Sequence, residues 1–293
     1  MKTKPLTLLL AFTFLFLFSG SVFGDDLQDA KEATFKGEFK KAYKLLLPLA
    51  EQGNVTAQYN LGVMYEAGEG VPQDDKQSAK WYRLAAEQGH RKAQNNLGGM
   101  YREGQGVPKD VKEAVKWYRL SAEQGHSSAQ GNLGSIYENG VVGVPQDYKE
   151  AIKWWKLAAE QGMVLAQVKL GEIYVEGTGV PQNFKEAEKW WRLAAEQGVA
   201  QAQFNLGLMY TKGKGVPEDL NEAIKWLRLA AKQGNTEARE VLDLISREIA
   251  QRKNQDNSQD SESSRPKGIE DVLGNILNAL NDALNGKDYK KEY

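Results

Sequence analysis

The sequence predicts an all-α protein, built as an α/α solenoid of helix-turn-helix repeats with a period of 36 residues. Three observations predict this fold class. A Gln-Gly pair returns at nearly constant spacing, each interval holds two segments of helical periodicity, and glycine is frequent (29 of 293 residues) while proline is rare (8). Two-helix units cannot bury their apolar faces alone, so units of this kind stack on one another.

The N-terminal 24 residues have the layout of a secretory signal peptide. Lys2 and Lys4 precede an apolar stretch over 6–18, and Val22-Phe23-Gly24 places small or modest residues where a cleavage site needs them. The apolar stretch is shorter than the roughly 20 residues that a transmembrane helix requires. We therefore expect cleavage after Gly24 and a soluble mature protein that is periplasmic or secreted.

The repeats follow from the spacing of the Gln-Gly pair, whose steps are 36, 36, 37, 36 and 36 residues. The longer step is explained by one added residue in the loop Gly140-Val141-Val142-Gly143-Val144-Pro145, where the other copies read Gly-x-Gly-Val-Pro. Insertions belong in loops. Five repeats are predicted, over 54–89, 90–125, 126–162, 163–198 and 199–234.

The first helix of each repeat carries an apolar stripe. In the first copy Ala57, Leu61, Met64 and Tyr65 lie on one helical face, and a glycine follows where a left-handed residue would end the helix. A further glycine within the helix costs about 1 kcal/mol relative to alanine, so its recurrence predicts close helix–helix contact. These internal glycines are Gly62, Gly98, Gly134, Gly171 and Gly207.

The second helix of each repeat begins at an Asp or Asn that can serve as N-cap, and a Gln or Glu three residues later predicts a capping box. The predicted N-caps are Asp74, Asp110, Asp147, Asn183 and Asp219. The helix continues with a tryptophan, such as Trp81, which we expect to be buried one turn ahead of Ala85-Ala86. Trp155 and Trp191 each follow such a tryptophan, and exposed binding rings remain an alternative for them.

Both ends of the array differ from the repeats. Residues 25–53 form an N-terminal capping repeat, in which Gly37 alone connects two helices, and 235–252 form a C-terminal capping helix. In that helix Asp243 and Ser246 replace the usual Gly and Tyr. Polar caps keep a repeat stack soluble.

The remainder of the chain predicts a tethered helix. Residues 253–268 are polar enough for a disordered linker, 269–285 predict a separate C-terminal amphipathic helix, and 286–293 form a polar tail. The apolar face of the predicted helix consists of Ile269, Val272, Leu273, Ile276, Leu277, Leu280 and Leu284. Membrane-surface helices usually carry Lys and Arg on the polar face, and this one does not. Docking onto a partner, a second copy or the chain's own groove is therefore favoured over lipid, and self-association stays open.

The repeated pattern Ala-Gln-x-x-Leu-Gly-x-x-Tyr-x-x-Gly-x-Gly-Val-Pro-x-Asp-x-x-x-Ala-x-x-Trp-x-x-x-Ala-Ala-x-x-Gly resembles the Sel1-like repeat (SLR), a relative of the tetratricopeptide repeat. Five near-complete copies span 54–234. The resemblance implies a right-handed α-solenoid of the secreted bacterial type that serves as an adaptor or binding scaffold. Some cysteine-rich secreted members resemble β-lactamase-type proteins, but this chain has no cysteine, so that activity is not carried over.

By resemblance to tetratricopeptide proteins, the faces of the first helices opposite the apolar stripe line a concave groove. We expect this groove to carry apolar side chains at each end and small polar side chains in the middle. In the alternative, these are surface positions whose variation has no functional meaning. The candidate partner-binding residues are Tyr59, Val63, Asn95, Arg102, Val168, Glu172, Phe204 and Leu208.

The residue inventory argues against most chemistry. The absence of cysteine excludes thiolate catalysis and Cys-ligated metal, and two histidines, His90 and His126, placed where helices begin, do not make a metal site. No Gly-Lys-Ser/Thr follows the glycine loops, and the carboxylates occupy capping or solvent positions, so no catalytic, cofactor-binding or metal residue is predicted. The charge balance, 38 Lys and Arg against 39 Asp and Glu, gives no indication of nucleic-acid binding.

The sequence therefore predicts a non-catalytic scaffold that binds another protein or peptide, in envelope signalling or host interaction. Two alternatives stay open at this point. One is a cell-wall-acting enzyme, which would need a catalytic constellation that the sequence does not display. The other is a membrane-surface assembly factor that uses the C-terminal helix.

Overall fold

The computed structural model describes residues 26–258, which form helices joined by short turns. The described part of the chain divides into two compact units, one that ends at Asp147 (unit 1) and one that begins at Tyr148 (unit 2). Unit 1 contains α1 (residues 26–35), α2 (Phe39–Glu51), α3 (Val55–Ala67), α4 (Asp75–Glu87), α5 (Arg91–Glu103), α6 (Val111–Glu123) and α7 (Ser127–Asn139). Unit 2 contains α8 (Tyr148–Glu160), α9 (Val164–Glu176), α10 (Phe184–Glu196), α11 (Ala200–Lys212), α12 (Leu220–Lys232) and α13 (Thr236–Ser258). The predicted signal peptide (1–24), most of the linker and the predicted helix 269–285 lie outside the described residues.

Within each unit, consecutive helices pack on one another. A first helix such as α5 contacts the second helix of its own repeat, α6, and the second helix of the preceding repeat, α4. The apolar stripe predicted for the first helices is buried: Ala93, Leu97 and Met100 are at most 2% exposed. This is the helix-pair packing of a repeat solenoid, so the predicted all-α fold class is confirmed.

The glycines inside the first helices mark close helix contacts, as predicted. A Cβ on Gly98 would lie 2.8 Å from Cδ1 of Tyr118, and a Cβ on Gly171 would lie 2.1 Å from Nε1 of Trp191. Both distances are shorter than two non-bonded atoms tolerate, so each glycine makes room for a ring of the second helix. Trp191 and Trp155 are buried, at 7% and 1% exposure, so the alternative of exposed binding rings is wrong.

The loops of the repeats depend on glycines with left-handed backbone. Gly104 ends α5 at φ +79°, and Gly106 (φ +66°) approaches the preceding second helix so closely that a Cβ would lie 2.0 Å from the carbonyl oxygen of Asp75. The added residue of the third repeat is accommodated in its loop, as predicted. There Val141 and Val144 exchange two backbone hydrogen bonds, of 2.8 and 2.9 Å, while Val142 is 96% exposed.

The predicted residues cap the N-terminal ends of the second helices, but they form only one half of the predicted capping box. Asp110 Oδ1 accepts hydrogen bonds from the N–H groups of Lys112 (2.9 Å) and Glu113 (3.1 Å). The same caps form at Asp74, Asn183 and Asp219. The reciprocal half of the predicted capping box does not form, because the N–H of Asp110 donates instead to the carbonyl of Tyr101 (2.8 Å). Glu113 pairs with Lys116, so the prediction of a complete capping box is wrong.

Buried glutamines link successive helices, a feature that the repeat pattern did not predict. Gln94 donates from Nε2 to the carbonyl of Ala86 at the end of α4 (3.0 Å), and its Oε1 accepts from Nε2 of Gln124 at the end of α6 (2.7 Å). Equivalent glutamines are at most 4% exposed, and we call them the glutamine ladder: Gln58, Gln94, Gln130, Gln167 and Gln203. The ladder gives a second hydrogen bond to carbonyl groups in the last turn of a helix, such as that of Ala86, which also accepts from the N–H of Gly89 (3.0 Å).

The ladder ends at α13. Arg239 stands where the repeats have glutamine, and its Nε and Nη2 both donate to the carbonyl of Ala231, at 3.3 Å each. A guanidinium has no acceptor atom, so it cannot continue the ladder to a further glutamine. Arg239 therefore donates to the preceding helix as the glutamines do, but it cannot accept a hydrogen bond from a glutamine of a following repeat.

The last described helix is longer than predicted. The sequence predicts that the capping helix stops at residue 252, but α13 continues to Ser258, so the predicted start of the linker at 253 is wrong. The physical reason lies in the composition, since neither glycine nor proline occurs between Gly234 and Pro266 to end the helix.

Candidate functional site

A polar patch lies on the first helices of unit 1, outside their buried apolar stripe, and reaches Tyr82 of the second helix α4. The apolar stripe of α3, α5 and α7 is buried, which leaves the opposite side of these helices at the surface. We call this surface the asparagine patch. It consists of Tyr59 and Glu66 on α3, Asn95, Asn96 and Arg102 on α5, and Asn132 on α7.

Hydrogen bonds join three asparagines and one arginine across two helices of this patch. Asn95 donates from Nδ2 to Oδ1 of Asn96 (3.3 Å), and Asn132 donates to Oδ1 of Asn95 (3.2 Å). Arg102 donates to Oδ1 of Asn132 (3.4 Å) and to Oε1 of Glu103 (2.7 Å). All but Glu103 are half-buried. The side chains are therefore held in place before any partner arrives.

Aromatic rings form the other end of the patch. The ring of Tyr59 lies 4.5 Å from that of His90 and 5.8 Å from that of Tyr82, measured between centroids. The hydroxyl of Tyr82 donates to Oε2 of Glu66. Burial and the Glu66 carboxylate raise the pKa of Tyr59 and of Tyr82 above the usual value for tyrosine.

The predicted partner-binding residues of unit 1 lie on or beside this patch. Tyr59, Asn95 and Arg102 belong to it, and Val63 is half-buried against the neighbouring apolar cluster. Sequence reasoning missed Asn96 and Asn132, although a signal was present. Asparagine recurs at this position of the first helix in four of the five repeats, at Asn60, Asn96, Asn132 and Asn205.

In unit 2 the predicted partner-binding residues make contacts within the chain itself. Val168 is half-buried and its carbonyl accepts from the indole of Trp191 (3.3 Å), while Glu172 forms an ion pair with Lys169 (2.9 Å). Leu208 is half-buried against the cluster that contains Phe204. The face of α11 is thus partly enclosed.

The prediction that Phe204 lines a binding groove is wrong. Its side chain is 6% exposed and packs in one apolar cluster with Leu227 of α12 and with Val241 and Ile245 of α13. The period of the repeat placed Phe204 opposite the apolar stripe, but α13 supplies a second set of apolar side chains that covers it. Replacing Phe204 would therefore test the core of unit 2 rather than binding.

The two histidines of the chain cap first helices, in agreement with the predicted role at helix starts. His90 Nδ1 accepts from the N–H of Ala93 (3.2 Å), and His126 Nδ1 accepts from the N–H of Ala129 (3.3 Å). Only an unprotonated Nδ1 can accept. Burial lowers the pKa of both histidines, and the nearby charges of Arg91 and Lys92 lower it further.

These caps predict a loss of stability in mild acid. The folded pKa of each histidine lies below its unfolded value of about 6.5, so the contribution is complete above that pH and is lost as the pH falls through the folded pKa. We expect each protonated cap to cost about 1 kcal/mol. The double variant His90→Asn, His126→Asn should lose this part of the pH dependence, because Asn54 and Asn235 cap equivalent helices through Oδ1.

Urea unfolding of both proteins between about pH 7.5 and about pH 5 measures the difference, since protonation must precede any loss of a histidine cap. Variants with Asn at either position alone should show intermediate slopes. An identical pH slope in wild type and double variant would contradict the assignment.

Within the part of the chain that the structure describes, no group of three or more His, Asp or Glu side chains could hold a metal ion. No helix among residues 26–258 is both long and apolar enough to cross a membrane.

A model of the Sel1 repeat family matches five consecutive segments, each beginning one residue later than the predicted repeat: 55–90, 91–126, 127–163, 164–199 and 200–235. No curated protein matches the chain in sequence.

Two bacterial proteins of solved structure resemble the chain over most of its length. One is a protective antigen present in uropathogenic Escherichia coli strains that displays an SLR fold, with 34% identity, a TM-score of 0.70, and coverage of 90% of this chain and 54% of that protein. The other is a Sel1 repeat protein from Oxalobacter formigenes, with 32% identity, a TM-score of 0.67, and coverage of 89% and 100%. The chain thus spans about half the length of the first and all of the second.

Proposed function

The chain belongs to the Sel1 repeat family, and we propose from this that it is a non-catalytic protein-binding scaffold, periplasmic or secreted, that holds a partner on the asparagine patch of unit 1. Sel1 repeats generally mediate protein–protein interaction and are generally a non-catalytic scaffold fold. The single observation that carries the proposal is the hydrogen-bonded set of Asn95, Asn132 and Arg102 on a face that the packing of the helices does not require to be polar.

The chemistry of the patch suits an extended peptide segment. Each asparagine amide has two N–H donors and an oxygen with two lone pairs. Asn95 and Asn132 each use one donor in the patch, which leaves an N–H on each for the main-chain carbonyls of a peptide. Arg102 adds a guanidinium that can bind a carboxylate, and Tyr59 adds a ring that can pack against an apolar side chain. The proposed ligand is therefore a peptide of mixed polarity with an acidic residue.

Two observations support a location outside the cytoplasm. The first 24 residues have the layout of a signal peptide, and one of the similar proteins is a protective antigen of Escherichia coli strains. We propose on these grounds that the scaffold works in the cell envelope or in contact with a host. Export of the full chain, followed by N-terminal sequencing of the mature protein, tests this part, and an N-terminus at Asp25 is expected.

The proposed binding face is tested with peptides selected from a phage-displayed library on the full chain. Peptides that bind the wild type should bind the double variant Arg102→Ala, Asn132→Ala at least about tenfold more weakly, because two hydrogen-bonding side chains of the patch are removed. The matched control is Lys112→Ala, Lys116→Ala on α6, a second helix of the same unit. It also removes two polar side chains, and we expect its dissociation constants to stay within about twofold of wild type.

Dissociation constants are measured by isothermal titration calorimetry, and the melting temperature of each variant is recorded beside them. Equal weakening of peptide binding in both double variants would contradict the assignment of binding to the asparagine patch. Failure to select any peptide would count against peptide binding as such.

A further inference from the structure

A row of exposed leucines runs over the second helices of unit 2. Leu157 on α8, Leu193 on α10 and Leu229 on α12 occupy the same position of the repeat, and 38–40% of each side chain is exposed. We call these three residues the leucine row. Each follows a buried pair of aromatic or apolar residues, so the row lies on the outer side of its helix. Exposed apolar residues at equivalent positions of successive repeats mark a surface that a partner can cover.

The surroundings of the leucine row are basic. Lys156, Arg192 and Arg228 directly precede the three leucines. Together, α8, α10 and α12 carry nine Lys or Arg against six Asp or Glu, whereas the first helices α9, α11 and α13 carry six against seven. The second-helix side of unit 2 is therefore the side that an acidic apolar segment would prefer.

The chain itself contains such a segment. Residues 269–285, outside the described residues, predict an amphipathic helix with seven Ile, Val or Leu on one side. Its charged residues are Glu270, Asp271 and Asp282, and it has no Lys or Arg. The net charge of the segment (−3) is equal and opposite to that of the three second helices (+3).

We propose that segment 269–285 docks on the leucine row of its own chain, with its apolar side against Leu157, Leu193 and Leu229 and its carboxylates near the flanking Lys and Arg. The contact is independent of partner binding by the asparagine patch. It would cover the only described row of exposed leucines in unit 2 and occupy it until a competing helix displaces the segment.

The length of the chain between the two parts allows this contact. Ten residues, 259–268, separate the end of α13 from the segment, and fully extended they span at most about 33–36 Å. The 23 residues of α13 are about 34 Å long. A three-residue turn joins α12 to α13, so the C-terminal end of α12, which carries Leu229, lies at the start of α13. The linker is thus long enough to return along α13 to that end.

Engineered cysteines test the proposal cleanly, because the chain has none of its own. In the full chain, the pair Glu196→Cys, Asn278→Cys places one thiol a turn beyond Leu193 and the other in the segment. The matched control pair, Glu176→Cys, Asn278→Cys, moves the first thiol to the exposed end of the first helix α9. Under mild oxidation we expect the first pair to form an intramolecular disulfide about tenfold faster than the control pair, at a rate independent of protein concentration.

A second variant keeps the outcome interpretable without disturbing the repeats. Adding Leu273→Ser and Leu280→Ser to the first pair should abolish the tenfold preference, since both residues belong to the segment and not to the repeats. Equal disulfide rates in the two pairs, or a preference that survives the serine substitutions, would overturn the proposal. Predominantly intermolecular disulfides would assign the leucine row to the segment of a second copy and would overturn docking within one chain.

Discussion

Replacing Gln94 with methionine is expected to lower the free energy of unfolding by about 1–3 kcal/mol. Methionine keeps the length and shape of the side chain, so the loss reports hydrogen bonding rather than a cavity. Two bonds disappear, the donation to the carbonyl of Ala86 (3.0 Å) and the acceptance from Gln124 (2.7 Å). The carbonyl of Ala86 keeps the hydrogen bond from the N–H of Gly89 (3.0 Å), so the expected cost is that of the two lost side-chain bonds, each worth about 0.5–1.5 kcal/mol.

The matched control is Gln124→Met, which removes the other end of the same hydrogen bond. Gln124 is exposed, so water can replace it at Oε1 of Gln94, and we expect a loss of about 1 kcal/mol or less. Urea unfolding followed by circular dichroism measures both variants. If the two substitutions cost the same, the glutamine ladder stabilises no more than a surface hydrogen bond does.

The glutamine ladder also shows where the sequence was uninformative. The glutamine that follows alanine in every repeat was visible in the motif, but a polar residue beside an apolar stripe is ordinarily assigned to the surface. Its burial depends on the carbonyl groups at the end of the preceding helix, such as that of Ala86, which accept a second hydrogen bond from it. That contact arises from how two repeats stack, and no local pattern within one repeat expresses it.

The residues that the period specifies directly were predicted well. The internal glycine of the first helix, the tryptophan of the second helix and the loop that absorbs the added residue near Val142 all follow from comparing equivalent positions. Phe204 and the end of α13 were not predicted, because both lie where the array stops and a helix meets neighbours that no other repeat has. The asparagine patch stands between these cases: Tyr59 and Arg102 follow from helical geometry, but the bonds that join Asn95 to Asn132 do not.

The pair Gly98 and Gly99 offers a second large effect with a control inside the same helix. A Cβ on Gly98 would lie 2.8 and 2.9 Å from two carbons of the Tyr118 ring, which is 1% exposed and cannot move aside. A Cβ on Gly99 would meet only the hydroxyl of Tyr118, at 3.6 Å, an ordinary contact. Both positions are in α5, so alanine brings the same gain in helix propensity, about 1 kcal/mol, at each of them.

Gly99→Ala is therefore expected to stabilise unit 1 by up to about 1 kcal/mol, and Gly98→Ala to destabilise it, because overpacking of a filled core costs about 1–3 kcal/mol beyond that gain. The difference between the two variants cancels the propensity and isolates the helix contact. Urea unfolding gives both values, and the change should be confined to the neighbourhood of α5 and α6, since a repeat interacts with its immediate neighbours only.

A third variant decides whether the Tyr118 ring is the cause. In a Tyr118→Ala background, which is itself destabilised, the ring is gone and Gly98→Ala should cost little or become favourable, with a coupling energy above about 1 kcal/mol between the two sites. Additive effects would mean that the recurring glycine serves backbone flexibility instead. The same coupling is expected between the equivalent residues of other repeats, because Gly171 faces Trp191 and Gly207 faces Leu227 in the same arrangement. A ring or branched side chain against a bare backbone is then the contact that sets how closely the two helices of a repeat approach.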